Sequence, residues 1–170
     1  MNLKALAYQL RRDTIDIICA GKAGHIGGDM SVMEVLVELY FDQMNIDAKN
    51  PEDPDRDLFV LSKGHSMEAY YAVLSEKGFL DKEDVLKNFS KFGSKYIGHP
   101  NNKLPGIEMN SGSLGHGLPV CVGMAKGSQN GSQRPPRVCS HGRWRAWRKG
   151  LSGKAPWQHI SISWIICAQW

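Results

Sequence analysis

The chain has 170 residues, 42% of them hydrophobic, with 21 basic and 17 acidic side chains, long enough for one domain with a core of its own. No run of 18 or more apolar residues occurs and the first residues lack a signal-peptide apolar core, so neither a membrane span nor a secretory route is expected. Four cysteines, at 19, 121, 139 and 167, show no C-x-x-C spacing; a metal or disulfide framework is unsupported, and a reducing cytoplasm is the expected compartment.

The formal charge of +4 averages two unlike pieces. All 17 acids lie at or before Glu108 and all 5 tryptophans at or after Trp144. Residues 126–170 hold 8 of the 21 basic residues and no acid, which leaves residues 1–125 with a net of −4. The division therefore expected is an α/β region over 1–125 and an anomalous basic, Trp-rich tail over 126–170.

In chain order, Leu3, Leu6, Leu10, Ile17 and Ile18 follow a helical stripe that can stop at Gly21. Ser31-Val32-Met33-Glu34 has the pattern of a capping box and predicts a helix opening there and running through Val35, Leu36, Leu39 and Tyr40. Residues 50–57, with two prolines and four acids, form a loop. Leu58-Phe59-Val60-Leu61 is a short apolar run suited to a buried parallel strand, which puts residues 62–65 at its carboxyl end, where open α/β sheets place ligands. A helix is predicted from Met67 to Lys77, stopped by Gly78, and another capped by Asp81 through Leu86. The charge alternation along 81–91 is that of a solvated helix. Leu118 to Ala125 starts a buried helix, and residues 126–137, rich in Gly, Ser, Gln and Pro, have the composition of a linker.

Four of the six histidines follow a glycine: Gly24-His25, Gly64-His65, Gly98-His99 and Gly115-His116. Glycine lets backbone approach a ligand closely, and imidazole donates, accepts or shuttles a proton near neutral pH. Each pair alone is compatible with an ordinary loop. Taken in order, A-G-H-I-G-G-D-M-S, L-S-K-G-H-S, I-G-H-P and S-G-S-L-G-H-G-L-P make a set that resembles the N-terminal, thiamine-diphosphate-binding part of the transketolase family, from about Leu10 to Ala125. That family often has Gln where His116 stands and Pro where Ser113 stands.

The resemblance implies a partial thiamine-diphosphate-binding α/β fold, a central parallel sheet flanked by helices, and transfer of a two-carbon ketol unit from a ketose phosphate to an aldose phosphate. It implies that His99 contacts the donor's hydroxyl, that His25 lies near the acceptor's aldehyde oxygen, and that His65 lies on the diphosphate side of the cofactor. Gly112 and Leu114 match the turn that meets the aminopyrimidine through backbone contacts. It also implies a separate pyrimidine-domain subunit, an oligomer when intact, and magnesium on the diphosphate.

The magnesium ligands of such enzymes include an Asp in a G-D-G-E motif that follows a strand, where this chain reads Ser140-His141-Gly142-Arg143-Trp144-Arg145. A guanidinium cannot ligate a metal. Rereading codons compatible with residues 127–146 one nucleotide later permits A-A-K-M-E-A-K-D-H-R-V-Y-A-V-M-G-D-G-E-L, and residues 147–169 in the remaining frame permit A-E-G-S-V-W-E and onward. The expectation is therefore a tail out of frame from about Lys126 and a chain that is inactive alone, either the N-terminal subunit of a split transketolase, cut short, which the short helical lead favours, or the front of a longer reading frame. Two alternatives differ in class. One is another thiamine-diphosphate enzyme, a deoxyxylulose-phosphate synthase or phosphoketolase; the other is a basic nucleic-acid-binding protein that uses residues 143–149.

Overall fold

A computed structural model of the chain describes residues 1–129 and 138–141. Most of the expected linker, and the whole Trp-rich run at 143–149, lie outside the described residues.

Helix α1 (Leu3–Gly21) opens on Asn2, whose Oδ1 accepts the Ala5 N–H at 3.1 Å, and closes on Lys22 in the left-handed conformation. Its stripe is the one the periodicity predicts: Leu6, Leu10 and Ile17 are buried and Ile18 is half-buried. Asp13 pairs across to Lys82 at 2.8 Å, tying α1 to the start of α4.

Helix α2 (Ile26–Glu38), continued by a π-helical turn at Leu39–Gln43, begins five residues before the expected Ser31. Ser31 therefore does not cap α2. Ser31 lies inside the helix, where its hydroxyl donates to the Gly28 carbonyl at 2.9 Å and accepts from Lys63 Nζ at 2.9 Å. The N-cap position belongs to His25, whose carbonyl accepts from the Gly28 and Asp29 N–H groups. Gly27 and Gly28 weigh against a helix start by propensity; the burial of Val32, Met33, Leu36 and Val37 outweighs them.

Strand β1 (Leu58–Leu61) is buried at Phe59, Val60 and Leu61. A 3₁₀ turn (Gly64–Ser66) leads directly into α3 (Met67–Lys77), which ends where predicted, with Gly78 at φ 96° donating back to the Leu74 and Ser75 carbonyls. Every residue of α3 from Met67 to Leu74 is buried, so this helix is the hub of the core. Helix α4 (Lys82–Asn88) is capped by Asp81, whose Oδ1 accepts the Asp84 N–H at 2.7 Å. Helix α5 (Gly117–Gln129) runs past Lys126, and β2 (Val138–His141) then pairs in parallel with β1, Leu58 opposite Val138 and Leu61 opposite His141. The described sheet thus has two parallel strands, and α5 covers β1 through Val60, Cys121 and Ala125.

The main core joins α1, α2, α3 and α4. Within it Tyr40, Phe59 and Tyr70 make edge-to-face contacts. Tyr70 gives its O–H to the Gly106 carbonyl at 2.6 Å, so Tyr40 is the donor in the 2.6 Å contact between the two phenols. That chain of bonds fastens the 104–107 loop to α3.

Candidate functional site

Three segments converge at the carboxyl end of β1. Ser62, the first residue past the strand, accepts the Gly117 N–H on its Oγ at 3.0 Å, and a Cβ on Gly117 would stand 2.5 Å from that of Ser62; only glycine permits α5 to begin there. Lys63 reaches the other way and donates to the Gly28 carbonyl at 3.0 Å as well as to Ser31. Gly64 meets backbone directly: a Cβ would fall 2.9 Å from the Ser111 carbonyl oxygen, while Ser111 Oγ donates to the Leu61 carbonyl at 2.6 Å. The S-K-G-H run therefore locks the start of α2 and the 111–117 turn onto the strand end.

This arrangement brings three of the four glycine-preceded histidines together. His25 stands at the head of α2, His65 in the 3₁₀ turn, and His99 in a loop whose Ile97 carbonyl accepts the Tyr71 O–H at 2.9 Å. Their ring centroids are 4.9 Å apart for His25 and His65, 4.6 Å for His65 and His99, and 5.9 Å for His25 and His99, all edge-to-face. Gly112 lies against the His99 ring, a Cβ there meeting its Cδ2 at 3.4 Å. Leu114, two residues on, is 42% exposed, and Ile26 (54%) and Ile97 (45%) are exposed near His25 and His99, so apolar surface adjoins the polar cluster in those three segments. His116 ends the turn, its N–H on the Ser113 carbonyl.

Burial and the neighbouring rings His65 and His25 hold the His99 imidazole below its ordinary value, which keeps it neutral near pH 7. The buried Nδ1 of His65 and Oγ of Ser66 have no hydrogen-bond partner among the described residues. Two acids that the sequence reading passed over complete the site. Asp29, in the first turn of α2, and Glu68, in the first turn of α3, are both fully buried, and Glu68 Oε1 lies 3.7 Å from His25 Nδ1. Burial first, and then the Glu68 charge, push the Asp29 carboxyl up to about 8; burial also raises Glu68. One signal was available in the sequence: Glu68 is the lone charge in the otherwise uncharged stretch from Met67 to Leu74.

The donor set suits an anionic, aromatic guest. An unpartnered imidazole nitrogen, a serine hydroxyl and a glycine-lined turn offer hydrogen bonds and close backbone approach. Among the described residues, no group of three or more His, Cys, Asp or Glu is placed to hold a metal ion, and no helix is long and apolar enough to cross a membrane.

Comparison with known proteins gives this geometry its context. Residues 3–135 match the family model described as transketolase, thiamine diphosphate binding domain. The chain is 50% identical over 115 residues to an apulose-4-phosphate transketolase subunit of Phocaeicola vulgatus, covering 68% of this chain and 41% of the relative. It is 41% identical over 126 residues to a 6-deoxy-6-sulfo-D-fructose transketolase subunit of a Clostridium species, covering 74% and 46%. Among solved structures, the transketolase of Campylobacter jejuni superposes with a TM-score of 0.78 at 31% identity, over 89% of this chain and 25% of that one. The chain thus spans less than half the length of the subunit relatives it matches. Strand end, histidine cluster and family match converge: this chain belongs to the transketolase family, within its thiamine-diphosphate-binding domain.

Proposed function

We propose that this chain corresponds to the cofactor-binding subunit of a split transketolase, which transfers a two-carbon ketol unit between sugar phosphates together with a pyrimidine-domain partner in a cytoplasmic oligomer. The observation that carries the reading is the meeting of His25, His65 and His99 within 4.6 to 5.9 Å at the carboxyl end of β1. Both of these relatives are named as transketolase subunits, which supports a two-subunit enzyme; their different sugars leave the substrate at the level of a sugar phosphate or close analogue.

Thiamine diphosphate, when bound, supplies a nucleophilic carbon able to add to a ketose carbonyl. The described residues fit it. His65 would face the diphosphate, its buried Nδ1 lacking any partner within the described residues, and the backbone at Gly112 and Leu114 would meet the aminopyrimidine. His99, neutral near pH 7, both donates and accepts, which suits contact with a donor hydroxyl. His25, with 41% of its side chain exposed, is open to an acceptor's aldehyde oxygen, where an N–H stabilises developing negative charge.

Residues 126–170 hold no acid, so the chain offers magnesium no carboxylate where the resemblance places one. We attribute this to a coding sequence that leaves frame near Lys126 and again near Trp147. The charge break supports the attribution, as does the place of β2: its four residues coincide with Y-A-V-M of the reread strand, directly before G-D-G-E, and lie beside β1. Reading the coding DNA in three frames from Ala125 tests this. Absence of G-D-G-E and A-E-G-S-V-W-E from the other frames overturns it.

The functional test pairs a frame-restored chain with its pyrimidine-domain subunit. Ketol transfer from a ketose phosphate is expected, with His99→Ala lowering kcat/KM by at least about 100-fold. The chain as it stands is expected to show no magnesium-dependent micromolar binding of thiamine diphosphate by calorimetry. An inactive restored assembly, or undiminished transfer in His99→Ala, overturns the assignment.

A further inference from the structure

We propose that Asp29 and Glu68 form a buried carboxyl pair that shares one proton and orients His25, which makes both acids positioning residues for the site. The role of His25 in ketol transfer rests on the reading above; the pair and its effect on the imidazole do not.

The geometry comes from two helix starts. Asp29 lies four residues past His25 on α2 and Glu68 three residues past His65 on α3, and neither is exposed. Asp29 Oδ1 accepts the Ala69 N–H at 3.0 Å, which fixes its carboxyl at the head of α3 beside Glu68. Asp29 Oδ2 and both Glu68 oxygens accept no hydrogen bond from the described residues. Two ionised carboxylates cannot be left so in a desolvated space, because three of their four oxygens lack a donor and the two charges repel. A single proton between them resolves both problems: one oxygen becomes a donor and one charge disappears.

The remaining charge has a definite neighbour. Glu68 Oε1 lies 3.7 Å from His25 Nδ1 and 3.7 Å from where a Cβ on Gly98 would stand, so the carboxylate sits beneath His25 and the I-G-H-P loop. An anion at Nδ1 favours the imidazole form with its N–H on that side. Nε2 then remains as an acceptor, or as a second donor when the ring is protonated. Of the other titratable groups nearby, Lys63 bonds the Gly28 carbonyl and Ser31, the Tyr71 phenol bonds the Ile97 carbonyl, and the His65 and His99 rings stand edge-on to His25. Burial raises both carboxyls, Asp29 up to about 8, so the pair keeps a proton near neutral pH.

The test is nitrogen NMR of the histidine-labelled 170-residue chain from about pH 5 to about pH 9, with His25 assigned by loss of its signals in His25→Gln. The native chain is expected to hold His25 with its proton on Nδ1 and to show a step in its shifts near the Asp29 titration. Glu68→Gln is expected to move the proton toward Nε2 and abolish the step. Asp29→Asn, which removes the shared proton, is expected to keep the Nδ1 form and also lack the step. A His25 tautomer indifferent to Glu68→Gln, or a step that survives Asp29→Asn, overturns the pair; near-ultraviolet circular dichroism confirms that each variant is folded. An inactive restored assembly with this signature intact would overturn the ketol-transfer reading alone.

Discussion

Asp29 carries a pH dependence that can be measured without any ligand. Burial and then the Glu68 charge push its carboxyl up to about 8 in the folded chain from an ordinary 3.8, so the folded state retains a proton that the unfolded chain has released. The stability from this group is complete below about pH 4 and is lost as pH rises through about 8, with a slope of up to about 1.4 kcal/mol per pH unit. Asp29→Asn removes the slope. In urea unfolding series between those limits, the variant is expected to gain on the native chain as pH rises; curves that stay parallel would count against a buried, protonated Asp29. His25, His65 and His99 were legible as a set because each follows glycine in an ordered motif. The carboxyl pair was not, because its members are 39 positions apart in the sequence and neither spacing nor periodicity links a residue on α2 to one on α3.

At the scale of the element, α3 determines where three other segments stand. Glu68 faces His25, Tyr70 holds the Gly106 carbonyl and Tyr71 holds the Ile97 carbonyl. Tyr71→Phe keeps the ring contacts with Phe89 and Tyr96 and deletes one bond. It is expected to cost about 1 kcal/mol and to raise amide exchange selectively over 97–100, measured by hydrogen exchange; uniform exchange across the chain would remove Tyr71 as the anchor of His99. Asp81→Ala is expected to cost about 1 kcal/mol through the lost cap of α4, checked by its melting temperature, with the histidine cluster unmoved. The bounds of α3 were readable because an apolar run meets a glycine able to take a positive φ. The start of α2 was misread because Ser31 and Glu34 fit a local rule, whereas the helix begins where the Gly28 backbone lies against the S-K-G-H turn.

For the whole molecule, long-range ties matter more than local propensity. Arg56 places two hydrogen bonds, at 3.0 and 2.8 Å, on the Glu108 carboxylate, joining the 50–57 loop to the segment that leads into the glycine-rich turn. Burial raises the Glu108 carboxyl in spite of this pairing, so Arg56→Ala leaves a poorly solvated acid without its partner. A loss of about 2 kcal/mol is expected for this half-buried pair, and Arg56→Ala with Glu108→Gln should recover part of it; equal losses in the single and double variants would show that the two do not interact.

The parallel pairing of β1 with β2 has a kinetic consequence. Leu58 meets Val138 some 80 residues later, and closing so long a loop costs roughly 2 kcal/mol more than closing one of about ten residues. That pairing therefore forms late. The α1 to α4 core and the S-K-G-H turn lie wholly inside or before the loop and mature first, and during synthesis they leave the ribosome ahead of β2. The histidine cluster is then assembled while the edge of β1 that β2 will occupy is still open, and whatever sequence follows α5 must dock onto a site already in place.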